Sequence, residues 1–250
     1  MIPKIIHYCW FGRGKMPELY KKCIESWHNV LPEYELMYWN EDSFDINSNQ
    51  YVKEAYENRK YAFVTDYVRL YALYNYGGVY MDTDVEVVQP LDDFLECEAF
   101  SGFEKKDCVP TGIMASEKGN LVIKDLLDEY NTMRFIREDG SLNLTTNVKT
   151  ITSYFKGKGI ELNGMEQVIN GFHMFPQRYF CTNSILVVFG KTPRGVYTIH
   201  HYGGGWDSDD KKKQVLSFRI KRFFVGGLRK AIGTDKTAQI GKVIHAVIDR

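Results

Sequence analysis

Strand-like and helix-like segments alternate along this chain, which predicts an α/β fold: a mostly parallel, Rossmann-like sheet with helices on both faces. Three observations carry the prediction. Residues 2–9 and 34–39 read as strands, helix-patterned sequence separates them, and residues 61–90 run helix, double glycine and valine-rich strand. A chain of 250 residues is long enough to bury one substantial core.

Taken in order, residues 2–9 (IPKIIHYC) form a buried strand that ends at Trp10-Phe11-Gly12 and a glycine-bearing loop. His7 is expected to be a packed, hydrogen-bonded strand histidine. Residues 17–30 form a helix with Pro17 near its first turn, and Leu31-Pro32 ends it. A second strand follows at 34–39, with Asn40-Glu41-Asp42 as its turn, and then a polar helix over 51–60. In the next helix Tyr67, Leu70, Tyr71 and Tyr74 fall at i, i+3, i+4 and i+7, which makes one apolar-aromatic stripe. Thr65 is placed to cap it, Asp66 to sit in its positive first turn, and Gly77 to stop it with a positive φ. Val79 and Tyr80 start a strand, and Val85, Val87 and Val88 resume the pattern. Beyond Pro90 come a short helical turn, a strand over 99–104 and an amphipathic helix over 120–137. A strand follows over 172–180, and a last one ends at the paired His200-His201.

The chemistry concentrates at Asp82 and Asp84, set at a strand end, where open α/β sheets bind ligands. Two carboxylates at this spacing are hard oxygen ligands for a cation such as manganese or magnesium. An isolated Asp-x-Asp is more often the mark of a solvated turn. Its surroundings sharpen the signal, because Asp66 and Arg69 lie one helical turn apart and emerge on the same face. A surface ion pair, worth little, is the plain alternative for those two.

The run TD-x-x-R, GGVYMDTD and the valine-rich strand together resemble the DXD-containing sugar-binding region of glycosyltransferase family 32. The likeness is greatest to bacterial capsular and lipopolysaccharide sugar transferases and extends, more distantly, to the clostridial glucosylating toxins. IPK-x-IH-x-x-WFG resembles the family's opening motif, and HH-x-x-x-x-W its closing one. The resemblance implies a GT-A-like fold, a nucleotide-sugar donor (UDP-linked), a manganese cofactor and retention of anomeric configuration. It also implies roles. Asp84 would hold the metal, with His201 as the histidine ligand. Asp82 would contact the ribose or sugar and the metal's waters. Asp66 and Arg69 would grip the sugar hydroxyls, Trp10 would stack on the base, and Tyr80 and Trp206 would complete the donor contacts. Three departures stand out: Thr111 in place of an asparagine, TTNVKT where the family carries Thr-Gly-Pro, and Gly205 in place of a serine.

Charge divides the chain into an expected domain over 1–210 and a basic, helical tail over 211–250. The tail holds 11 Lys and Arg against Asp235 and Asp249, a net +9, and the total of zero leaves −9 for the remainder. An acidic body argues against nucleic acid as a partner. In the tail Leu216, Ile220, Phe223 and Phe224 line one helical face. Such a helix either packs on the domain or lies peripherally on an anionic bilayer, near a lipid-linked acceptor. No secretory signal precedes the first strand and no window is apolar enough to span a membrane, so a cytoplasmic location is expected. Five cysteines without metal-ligand spacing fit a reducing compartment, each as a small core residue.

These readings converge on a metal-dependent glycosyltransferase acting on a glycan acceptor in capsule or lipopolysaccharide synthesis. Two alternatives stay open at this stage. One is a non-catalytic sugar-nucleotide or glycan-binding module, and the other a metal-dependent nucleotide phosphohydrolase, which would need further ligands.

Overall fold

The computed structural model describes residues 1–105, 107–109, 112–183 and 195–203. The expected boundary near 210 and the whole basic tail lie outside them. The described part is an α/β fold built on two sheets. The larger has the strand order β2-β1-β3-β6-β5-β8-β7, with β1 Ile5–Cys9, β2 Glu35–Trp39, β3 Gly78–Met81, β5 Ala99–Gly102, β6 Ile113–Ser116, β7 Gln167–Ile169 and β8 Phe172–Phe175. Strands β2, β1, β3, β5 and β8 run one way, and only β6 and β7 oppose them. The mostly parallel sheet is therefore as the sequence predicts. A smaller sheet, β4-β10-β9, joins β4 Val85–Val87 to β9 Thr182–Asn183 and β10 Thr198–His200.

Alternation along β1 sends its side chains to two cores. Ile6 and Tyr8 share a core with Trp27 of helix α1 Glu18–Val30 and with Leu31 just after it, on one face. Cys9 joins α2 Gln50–Glu57 and α3 Tyr61–Tyr76 on the other. Helices thus cover both faces. No helix among the described residues is long and apolar enough to cross a membrane. All five cysteines are free thiols. Cys9, Cys23 and Cys181 are buried, whereas Cys97 and Cys108 are half-buried rather than core.

Several elements differ from expectation, each for a tertiary reason. Helix α3 starts at Tyr61, because Phe63 and Val64 have a core to enter. Thr65 is then inside the helix, its hydroxyl bonded back to the Tyr61 carbonyl at 3.1 Å, and Asp66 lies beyond the first turn. The helix over 120–137 is shorter, α4 Leu121–Asp128 with a 3-10 turn after it. Pro176 ends β8, and residues 177–180 turn into the short helix α6 Gln177–Phe180. Helix α5, Asn147–Gly157, occupies the TTNVKT stretch.

The chain leaves α3 through two glycines at positive φ, +68° at Gly77 and +110° at Gly78. A Cβ on Gly78 would lie 2.6 Å from the Ile5 carbonyl oxygen, so only glycine lets β3 lie this close to β1. His7 locks the same junction. The Trp39 indole can only donate, so His7 Nδ1 accepts from it (3.2 Å) and Nε2–H donates to the Gly77 carbonyl (2.7 Å). Burial outweighs that bond and pushes the His7 pKa down to about 4, which keeps the ring neutral.

Glu54 clips α2 to the loop after α4. Its carboxylate accepts from Arg134 Nε at 2.8 Å and from the amides of Phe135 (2.9 Å) and Ile136 (3.0 Å). Burial alone would raise its pKa, but Arg134, Gln50 and the two amides outweigh it and hold it at about 2. A depressed carboxylate stabilises the fold above its unfolded pKa and loses that contribution as pH falls towards the folded one. Glu54→Gln is therefore expected to cost about 2–3 kcal/mol at pH 7. The gap from wild type should close between about pH 5 and pH 2. Urea unfolding across that range checks it, and a gap independent of pH would rule the carboxylate charge out.

Candidate active site

The site forms where β3 ends. Asp82 N–H donates to the Gly112 carbonyl (2.8 Å) and Val85 N–H to the Asp82 carbonyl (3.0 Å), a tight turn that presents both aspartates. Beyond it, β4 pairs antiparallel with β10, with Val85 opposite His200. That register brings His200 Nε2 to 3.2 Å from Asp84 Oδ1, while the Gly203 amide donates to Asp84 Oδ2 at 2.6 Å. Gly112 makes room for the ring, since a Cβ there would lie 2.9 Å from His200 Cε1.

Burial disfavours the charged forms of both partners, but their attraction prevails. His200 and the Gly203 amide hold the Asp84 carboxyl below the usual range, and Asp84 holds His200 well above it. Asp82 is fastened separately. It accepts from the Tyr80 hydroxyl at 2.8 Å and meets Arg69 Nη2 at 3.3 Å.

One potential ligand atom from each of Asp82, Asp84 and His200 lies within 4.8 Å of the others. Two hard carboxylates and an imidazole suit a divalent cation of the manganese or magnesium kind. Two carboxylate oxygens and an imidazole nitrogen converge on one point, so the donor set fits the group.

Behind this cluster Asp66 and Arg69 are brought together at 3.1 Å, but at 1% and 2% exposure they form a buried pair. Arg69 also lies over the Tyr80 ring, 4.5 Å from its centroid. Burial pushes the Asp66 pKa up to about 8, against the pull of Arg69; the Asp82 charge raises it and Asn147 lowers it.

The remaining predicted residues sort as follows. Trp10 is half-buried, donates from Nε1 to the Gly14 carbonyl (2.7 Å), and meets Tyr20 edge-on at 5.4 Å. The Tyr20 hydroxyl abuts Gly203, so Trp10 is three contacts from Asp84. Tyr80, expected to contact the donor, is buried and acts on Asp82 through its hydroxyl. His201, expected as the ligand, points instead to Glu86 at 2.8 Å. Neighbours on a strand face opposite ways, so only one histidine of the pair can meet Asp84, and the register selects His200. Sequence could offer the pair but not the parity. Trp206, Gly205 and Thr111 lie outside the described residues.

Comparison with known proteins agrees with the likeness read from the motifs. Residues 17–101 match the family described as the glycosyltransferase sugar-binding region containing DXD motif. Inositol phosphoceramide mannosyltransferase 3 of Schizosaccharomyces pombe is 30% identical over 123 residues, 48% of this chain and 34% of that one. Mannosyl phosphorylinositol ceramide synthase SUR1 of Saccharomyces cerevisiae is 30% identical over 125 residues, 48% and 31%. The chain thus spans about a third of the length of these relatives. Among solved structures, a glycosyltransferase involved in glycosylation of the major capsid of PBCV-1 superimposes with a TM-score of 0.46. The match has 12% identity and covers 85% of this chain and 100% of that one.

Proposed function

We propose that this chain, which carries the DXD-containing sugar-binding region of glycosyltransferases over residues 17–101, moves a sugar from a nucleotide-sugar donor to a glycan acceptor with a divalent cation. The observation that carries this reading is the meeting of Asp82, Asp84 and His200, ahead of the buried Asp66–Arg69 pair. Those three would hold manganese or magnesium, which when bound offsets the charge gathering on the departing diphosphate. The chain's own residues prepare the site in advance. Tyr80 and Arg69 hold Asp82 in one orientation, and the Gly203 amide does the same for Asp84. Asp66 and Arg69 face the sugar hydroxyls, and Trp10 offers its ring to the base.

The donor is read as UDP-linked, and transfer as retaining the anomeric configuration. For the acceptor, capsular polysaccharide or lipopolysaccharide follows from the sequence resemblance. A lipid acceptor is favoured by relatives named for inositol phosphoceramide mannosyl transfer. A basic tail held to the cytoplasmic face of a membrane fits such an acceptor. A phosphohydrolase with two metals would need a second ligand cluster, and among the described residues Asp82, Asp84 and His200 form the one such group.

The test is a panel of UDP- and GDP-linked hexoses scored for manganese-dependent thermal shift and for hydrolysis or transfer. Silence across the panel, with manganese and with magnesium, would retire the reading. Within it, Trp10→Ala is expected to weaken donor binding by about 1–3 kcal/mol, the range for base–aromatic stacking. The half-buried ring should leave the melting temperature nearly unchanged. Calorimetric titration with UDP beside a melting curve separates this from a packing role, in which stability falls and affinity holds.

A further inference from the structure

Asn147 is the first residue of α5 and is 2% exposed, yet neither its Oδ1 nor its Nδ2 has a hydrogen-bond partner. It continues the buried stripe of Ile151 and Phe155 at i, i+4 and i+8, where an apolar residue would pack at lower cost. Its polar neighbour is Asp66 on α3, close enough for the Asn147 amide to favour the carboxylate, yet neither side chain completes a hydrogen bond and Asp66 otherwise has only the charge contact with Arg69. Four buried polar atoms from two helices are thus left incomplete side by side. Folded chains rarely leave such atoms unsatisfied unless something else binds there.

The kind of atom missing can be read from the set. Asp66 Oδ1, Asp66 Oδ2 and Asn147 Oδ1 need donors, and Asn147 Nδ2 needs an acceptor. A phosphate would bring only acceptors and would lie close to the charge of Asp82. Two neighbouring hydroxyls would donate to Asn147 Oδ1 and Asp66 Oδ2 and accept from Asn147 Nδ2, while Asp66 Oδ1 keeps Arg69 at 3.1 Å.

We propose that Asn147 is a specificity-determining residue of the donor site: with Asp66 it clasps two neighbouring hydroxyls of the transferred sugar and rejects donors that lack one of them. This rests on the sugar-transfer reading above. It assigns a use to a stretch that departs from the family's Thr-Gly-Pro pattern.

The inference has a signature without substrate. Removing an unsatisfied buried amide relieves a cost, so Asn147→Ala should keep or raise the melting temperature of the full chain. The same variant should lose about tenfold to a hundredfold in kcat/KM for whichever hexose donor of the panel is used. Its rate with the 3-deoxy or 4-deoxy form of that donor should match wild type, because the partner hydroxyl is already gone. Asn147→Ser, smaller but polar, should lie between the two. If the amide is instead completed by an internal water, Asn147→Ala lowers the melting temperature and slows full and deoxy donors equally, and the proposal fails. It fails as well if turnover is unchanged in both variants. A wild-type chain that binds no nucleotide sugar would overturn the sugar-transfer reading itself, and this inference with it.

Discussion

Asp84→Asn is expected to leave a folded chain whose turnover has fallen about a thousandfold or more and whose donor binding no longer responds to manganese. The magnitude follows from what the carboxylate does. It faces His200 at 3.2 Å through one oxygen and accepts from the Gly203 amide at 2.6 Å through the other. An amide keeps the shape but removes the anionic ligand, and its NH2 can face His200 only if that ring gives up its Nε2 proton and accepts. Circular dichroism and a melting curve establish the fold, and manganese titrations with and without UDP read the binding. Unchanged metal-dependent binding in a folded Asp84→Asn chain would remove this residue from the site. His200→Ala should weaken the manganese response in the same direction, whereas His201→Ala should spare it.

Arg69→Leu should be nearly as severe for turnover and also costly for the fold. The guanidinium is 2% exposed, 3.1 Å from Asp66 and 3.3 Å from Asp82, and covers the Tyr80 ring. Taking one partner out of a buried charged pair strands the other, at a cost on the order of 3–5 kcal/mol. The lower end is expected, because Asp66, already pushed up to about 8, can shed its charge by taking a proton. Turnover should drop at least a hundredfold, since Asp82 loses the cation that helps to hold it. A double variant, Asp66→Asn with Arg69→Leu, should regain part of the stability but none of the activity. Such a result separates the pair's structural share from its work on Asp82. An Arg69→Leu chain that melts and turns over as wild type does would overturn the account.

Local pattern determined much of this protein on its own. The alternation of strand and helix signals specified the α/β class. Spacing placed Asp66 and Arg69 on one helical face. The Gly77-Gly78 stop and the valines on either side delivered Asp82 and Asp84 to a strand end. These depend on contacts a few residues apart, so they are present in the sequence itself. The resemblance to a DXD-containing sugar-binding region rested on the same short stretches.

Other features depended on segments that meet only when the chain folds. His200 and His201 are equivalent as sequence, and the pairing of Val85 with His200, more than 100 residues apart, decides which faces Asp84. Asp66 and Arg69 read equally well as an exposed pair, and the packing around α3 turns them into a buried one. Tyr80 became a support for Asp82 because β3 is covered on both faces. Asn147 left only a faint trace, a polar residue in register with Ile151 and Phe155. Its unsatisfied amide exists because α5 sets it beside Asp66, 81 positions earlier in the chain. A periodic pattern tells a side chain which way to face, but the neighbours it finds there, and hence its charge and its partners, are set by the packing of distant segments.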